Sequence, residues 1–416
     1  QEMVGFSFDS KKADVLIAEL TTKRAELVDE LQRTFEPVVE EMKTAEGWTV
    51  EAEGVTYTAE TKAKLKQTLK LEGRVQALAN KATKLGNKTK SIPFNPGSRD
   101  QIATRLKGLG WTPKDFTPDG KPKIDEAVLK SVKHPSAQLL LHYLMIQKRL
   151  GMLAEGDNAW IKRVRDGRIH GSVNTNGAVT GRCTHSYPNI AQVPAVRAPY
   201  GKQCRELFKA GDGYDLVGCD ASGLELRMLA HYLGNFDGGE YAKQLLTGDI
   251  HSLNQKAAGL ETRDQAKTFI YAFLYGAGDG KIGDIVGGTA RDGKMLKARF
   301  LASLPALNRL KIAVEEKVKR SHFLKGLDGR TLPIRSEHSA LNTLLQSAGA
   351  VVMKQALIHL HHQLTVEFGW KLGTEYAFVA NIHDEFQAEV QPDKADLYGD
   401  LAVMSIKNAG RTLKMK

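Results

Sequence analysis

This chain of 416 residues has only three cysteines, Cys183, Cys204 and Cys219. Their spacing matches neither a zinc site nor a disulfide framework, so a disulfide-stapled secreted scaffold is excluded and a reducing cytoplasm is the expected setting. No apolar run approaches the roughly 18 residues of a membrane span. The opening QEMVGFSFDS lacks the basic start and apolar stretch of a secretory signal. It also lacks an initiating Met, as if the chain began inside a longer one. There is no internal repeat and no low-complexity tract. What remains is the composition of an ordinary folded protein, 42% hydrophobic and 26% charged, long enough for two or three domains.

The charge is unevenly placed. Residues 1–61 hold 14 acids against 6 bases, whereas residues 62–90 hold 9 bases against Glu72 alone. The rest of the chain carries the whole net charge of +11. A basic body of this size is compatible with a polyanionic partner, because neutralised phosphates release counterions.

Apolar spacing predicts a helix over 10–35 with Ser10 as its N-cap, and a long helix over 125–154. The Lys-rich segment 58–86 reads either as an amphipathic helix marked by Leu65, Leu69 and Leu78 or as a solvated, mobile insertion. Residues 166–220 read as short strands and turns, 222–320 as helices, 325–336 as a hairpin around Asp328-Gly329, and 338–366 as a long helix. The expected class is α+β, with strands in two clusters separated by a helical block.

Two acidic oddities stand out. AFVANIHDEFQAEV (377–390) reads as a hairpin turning near His383-Asp384, without the Gly, Asn-Gly or Pro that favours a tight turn. In DLVGCDASGLELR, a short strand ends in Asp220 and a helix follows. Asp220 alone is equally an N-cap. Asp220 and Asp384 together, each at a strand tip in a basic protein, suggest two halves of one divalent-metal site. Oxygen-only donors favour Mg²⁺ over Zn²⁺, and two such ions suit phosphoryl or nucleotidyl transfer. In ETRDQAKTFIYAFLYG, the residues Arg263, Lys267, Tyr271 and Tyr275 recur every four positions and form a winding stripe about 18 Å long. Two cations followed by two rings suit a nucleotide laid along the helix; a surface helix with a half-buried aromatic face explains them too. Two further patterns carry no site. Gly278-Asp-Gly280-Lys-Ile-Gly283 follows a helix rather than a strand and reads as a flexible link, and His359, His361 and His362 read as structural.

DASGLELR (220–227), RDQAKTFIYAFLYG (263–276) and HDE (383–385), flanked by TGRCTHSYPNIAQVP and LNTLLQSAG, stand in the order found in one family. The chain resembles the family A DNA polymerases, the family of bacterial DNA polymerase I, and is most similar to those of short-tailed phages. The resemblance runs from about Gly5 to about residue 411. It implies a right-hand fold with an antiparallel-sheet palm, helical fingers and a helical thumb. Residues 1–169 would be thumb with a tip insertion at 36–93, 170–250 and 336–416 palm, and 251–335 fingers. It implies template-directed DNA synthesis on primer-template DNA with dNTP and two Mg²⁺ ions, in a host's cytoplasm if phage-encoded. Asp220, Asp384 and the Ala221 carbonyl match the metal ligands, with Glu385 a supporting carboxylate. Arg263, Lys267 and His251 match triphosphate ligands, Tyr271 and Tyr275 the residues near sugar and bases, and Glu225 the gate against a ribose 2′-hydroxyl. Arg182, His338, Asn342, Gln346 and His383 match positions around the primer end and minor groove. The acids of a proofreading exonuclease are not found, so none is expected in this chain. The chain also stops at GRTLKMK, before the closing strand usual in the family. The insertion 36–93 is where phage relatives bind a processivity factor.

Three rivals remain. Glu225 speaks against a single-subunit RNA polymerase. Intact Asp220, Asp384 and Lys267 speak against a catalytically dead DNA-binding relative. An HD-type phosphohydrolase built on His383-Asp384 lacks a convincing set of further histidines.

Overall fold

The computed structural model describes residues 1–52, 54–71 and 80–416. The chain divides into two compact units, one of residues 14–156 and one of residues 1–13 with 157–416.

The 14–156 unit begins in the helix Ser10–Thr34, which buries Leu16, Leu20, Leu27 and Leu31 at helical spacing. Its N-cap is Asp9 rather than Ser10: Asp9 Oδ1 accepts the Lys12 N–H at 2.9 Å, and a carboxylate is at least as good a cap. The helix expected over 125–154 is two helices, Glu126–Ser131 and Pro135–Leu150. Pro135 offers no N–H to a continuing helix and pushes His134 to extended backbone, φ −140° and ψ 138°.

The described residues of the segment 36–93 form a folded β-rich module. Val38–Ala45 pairs antiparallel with Asn87–Ile92, setting Glu40 opposite Lys90. Trp48–Ala52 pairs with both Val55–Ala59 and Thr83–Lys84. These strands are a third cluster beyond the two expected. Their signal is WTVEAEGVTYTA, β-branched and aromatic residues around Gly54 at φ +78°, which the charge of the segment obscured. The amphipathic helix is present as Lys62–Leu71, with Leu65 and Leu69 buried against Val50 and Ala82. Leu78 lies outside the described residues. The two ends of the module meet where the Phe35 and Phe94 rings approach to 4.6 Å, and the Arg105 guanidinium lies over both.

In the other unit, Phe6–Ser7 pairs with Arg168–Ile169. Phe6, Phe8, Trp160 and Phe208 join in edge-to-face contacts between 5.2 and 6.4 Å. This cluster holds residues 1–13 and 157–169 within the second unit. The central sheet is antiparallel, Asp215–Asp220 beside Glu385–Val390 beside Tyr376–Ile382. Phe386, Ala388 and Val390 point into the core, while Glu389 on the opposite face is buried but answered by Arg168 at 2.6 Å and the Gly211 N–H at 2.9 Å. The helices Ala340–His362 and Ala395–Thr412 pack on one another behind this sheet.

The helical block holds Leu224–Asp237, Ile250–Ala258, Arg263–Leu274, Ala290–Ser303 and Pro305–Ser321, closed by the expected hairpin, Phe323–Lys325 with Thr331–Pro333. The glycines at 278–283 are not a flexible link. Asp279–Asp284 is a short helix lying so close to the next that a Cβ on Gly283 would stand 2.0 Å from the Thr289 carbonyl oxygen. His361 hydrogen-bonds the Tyr376 hydroxyl at 2.6 Å and His359 the Thr412 hydroxyl at 3.1 Å, structural tasks as expected. No described helix is long and apolar enough to cross a membrane.

Candidate active site

The sheet register builds the acidic centre. Asp220 closes its strand directly opposite Glu385, and the Ala221 N–H donates to the Asp384 carbonyl at 2.9 Å. Two acids far apart in the chain therefore share one strand end. The turn between them is tight, because Ile382 pairs with Glu385 and leaves only His383 and Asp384 to reverse the chain. His383 takes φ +55°, a left-handed conformation that a non-glycine residue holds at a cost of about 1–3 kcal/mol. A non-glycine side chain therefore stands at a strained backbone position, and it is exposed.

Arg182 comes from the loop before the strand Thr184–Ser186. Its Nη2 donates to Glu225 Oε1 at 2.9 Å and to Asp384 Oδ1 at 3.2 Å, with only 15% of the side chain exposed. Glu225, buried in the first turn of the helix Leu224–Asp237, also accepts from the Tyr275 hydroxyl at 3.1 Å. Tyr275 ends the stripe by leaving it: it caps Arg263–Leu274 at φ −79° and ψ 6°, while Tyr271 stays helical 6.4 Å away. Gly276 follows at φ +72°, where a Cβ would strike the His338 carbonyl oxygen at 2.6 Å. Burial, then the Glu225 charge and hydrogen bond, push the Tyr275 phenol up to about 12.

The acids are short of positive charge. Burial pushes Asp384 up to about 6, with Glu225 adding and Arg182 opposing. Burial, then Glu385 and Glu225, also raise Asp220. Among the described residues no ion pair reaches Asp220, and Glu385 is held by the Gln387 amide at 2.5 Å. The folded chain therefore protonates Asp384 more readily than the unfolded chain does. Between the ordinary carboxylate range and about 6, its stability must fall as pH rises. Thermal melts in EDTA from about pH 4.5 to about pH 6.5 should show that loss, and Asp384→Asn should flatten it. Parallel slopes for the two proteins would contradict the raised value.

A second, basic grouping sits at the start of the stripe. Arg263 pairs with Asp249 at 2.7 Å, and Lys267 lies exposed one turn on. His251 Nδ1 is buried without a partner, and burial, then Arg263, lower its basicity. Asn342 and Gln346 are half-buried on successive turns of Ala340–His362, and His338 is exposed just before it. No hydrogen bond joins these three to the acidic centre among the described residues. Sequence reasoning passed over two residues. Asp249 stands two residues before a helical His, which is a cap signal, but nothing in its spacing ties it to Arg263. Arg330, whose Nη1 would stand 2.4 Å from a Cβ on Gly181, carried no sequence signal.

The donor set fits a hard divalent cation. It comprises two carboxylates short of positive charge and the Ala221 carbonyl, which accepts one N–H, from Leu224 at 3.2 Å, and has a second lone pair. Among the described residues no three His, Cys, Asp or Glu side chains close on a metal position. Such an incomplete cage leaves positions for water and phosphate oxygens, as Mg²⁺ prefers.

The profile of DNA polymerase family A matches residues 61–416. The chain is 43% identical to the DNA-directed DNA polymerase of Enterobacteria phage T3, over 95% of this chain and 62% of that protein. It is 44% identical to the DNA-directed DNA polymerase of Escherichia phage T7, over 93% of this chain and 61% of that one. It thus spans about three fifths of the length of these relatives. Its fold is that of the POL domain of Pol1 from M. smegmatis, solved in complex with DNA primer-template and dNTP. The TM-score is 0.73 at 20% identity, over 97% of this chain and 64% of that one. On the matched profile and these identities, the chain belongs to DNA polymerase family A.

Proposed function

We propose that this chain is a template-directed DNA polymerase that extends a primer 3′ end with deoxynucleotides and releases pyrophosphate. The observation that carries the reading is the pairing of Asp220 with Glu385, which sets Asp220 and Asp384 at one strand end of a family A chain. The relatives of phages T3 and T7 are named DNA-directed DNA polymerases, and the Pol1 domain was solved with primer-template and dNTP, in keeping with it.

Asp220, Asp384 and the Ala221 carbonyl would hold two Mg²⁺ ions, with Glu385 alongside. When bound, the ions make the primer hydroxyl more acidic and neutralise charge on the triphosphate. Arg263, Lys267 and the unpartnered Nδ1 of His251 bind the phosphates, and the Lys267 ammonium faces the leaving pyrophosphate as a source of charge or a proton. Tyr271 lies beside the sugar and Tyr275 near the template base. Glu225, fixed by Arg182 and Tyr275, crowds a 2′-hydroxyl. Arg182 and Gln346 read the minor-groove acceptors common to all base pairs, with His338, Asn342 and His383 lining the primer end.

In this reading the 14–156 unit is the core of the thumb, 170–250 and 336–416 are palm, and 251–335 fingers. The module at 36–93 takes a processivity factor or clamps DNA. Because Phe35 and Phe94 lie 4.6 Å apart, a short linker can replace the module without opening the unit. That deletion should shorten products per binding event on a trap-challenged primer while leaving single-nucleotide addition intact; unchanged product lengths, with and without candidate factors, would remove the role.

Primer extension with purified chain, Mg²⁺ and dNTP tests the whole proposal. A template-dictated ladder is expected with dNTP and little with rNTP. Tight primer-template binding with no Mg²⁺-dependent extension would leave a DNA-binding relative instead.

A further inference from the structure

Asp249 does more than its local structure requires. As N-cap of Ile250–Ala258, its Oδ1 accepts the His251 N–H at 3.1 Å and its Oδ2 the Ser252 hydroxyl at 2.7 Å. The same two oxygens also take the guanidinium of Arg263 as a fork, Nε to Oδ2 at 2.7 Å and Nη2 to Oδ1 at 3.2 Å. Arg263 opens a different helix, which already has its own cap in the Thr262–Gln265 capping box. The cap of neither helix needs this second pair of bonds.

We propose that Asp249 is a positioning residue for triphosphate binding, holding Arg263 in its phosphate-binding pose while its helix cap fixes the backbone of His251. This rests on the polymerase reading above. A forked carboxylate occupies two of the five guanidinium donors and leaves three for phosphate oxygens. Arg263 is half exposed, so without Asp249 its long side chain samples many rotamers that binding must then freeze. The Gln255 amide, donating to the Glu261 carbonyl at 3.0 Å, ties down the loop between the two helices. The carboxylate–guanidinium fork therefore spans a fixed gap.

Asp249→Ser separates the cap from the fork, since serine caps a helix as well but cannot reach Arg263. On a primer-template with one templating base, this variant should raise the dNTP KM about 3- to 10-fold, the cost of ordering one long side chain, with kcat within about twofold. Asp249→Asn, which keeps one acceptor in reach, should recover part of the loss. Adding Asp249→Ser to Arg263→Ala should raise KM no further, because the residue acts through the arginine. Calorimetric binding of inorganic tripolyphosphate should weaken by the same factor in Asp249→Ser. That measurement needs no turnover, so a chain that never extends a primer overturns the polymerase reading while the tripolyphosphate difference still judges this one. An unchanged or lowered KM with unchanged or tighter tripolyphosphate binding in Asp249→Ser, or a full additional loss on the Arg263→Ala background, would overturn it.

Discussion

Asp384→Asn should abolish primer extension while leaving primer-template affinity within a few-fold of the parent. The side chain contributes one of the two carboxylates assigned to the metal ions, and asparagine keeps its shape but loses its charge. Charge stabilisation by a catalytic metal amounts to several kcal/mol, so the expected loss is about a thousandfold or more in the single-nucleotide addition rate. Asparagine can still accept from Arg182, and the Ala221 N–H bonds the backbone carbonyl, which the substitution leaves in place. The turn should therefore stay folded, and the raised Asp384 carboxyl predicts a variant at least as stable as the parent near pH 7 without metal. Turnover within tenfold of the parent would show that Asp384 holds no catalytic metal. A loss of DNA binding equal to the loss of rate would place its role in binding instead.

The second large effect is expected at Glu225. Its carboxylate carries two partners, Arg182 at 2.9 Å and Tyr275 at 3.1 Å, and the alanine variant removes both bonds and the bulk together. Opening that space should raise rNTP use relative to dNTP by one to two orders of magnitude, roughly what a shape-excluding pocket achieves. Extension with dNTP should also slow, because Arg182 is then left to Asp384 alone and a half-buried tyrosine hydroxyl loses its acceptor. Glu225→Gln keeps the bulk and an acceptor, so its sugar discrimination should stay near the parent's while its dNTP rate falls. Competition between dNTP and rNTP on one template position gives both numbers. Equal discrimination in the alanine variant and the parent would make Glu225 a purely structural partner of Arg182.

The acidic centre was legible for a physical reason. A strand ending in an acid, and a two-residue turn without glycine whose Asp384 is followed at once by Glu385, each cost energy locally, and such local costs point to a task other than folding. The stripe from Arg263 to Tyr271 was legible because helical spacing is a short-range property. The Arg182 bridge was not. It joins residues 43 and 202 positions apart, and nothing in TGRC tells which distant carboxylate the guanidinium will meet. Asp249 escaped for a different reason. Its cap role shows in sequence, but its fork to Arg263 depends on how two helices pack.

The module at 36–93 shows the opposite failure. Its lysines and acids dominated the reading, although the β-branched run around Gly54 already encoded a hairpin. The segment 125–154 failed at one residue, where the helical period was followed across Pro135 despite the missing N–H.

By itself the sequence determined the chemistry available: oxygen donors without a cysteine or histidine cage, a basic body, and a helix with cations at one end and rings at the other. These depend on residue identity and on spacing within a turn or two. Only the tertiary structure decided which groups share a charge. Strand register brought Asp220 and Asp384 together, and packing chose Arg182 and Tyr275 as the partners of Glu225. Ion pairing and desolvation act over a few ångströms of space, and chain separation says little about that distance until the fold closes it.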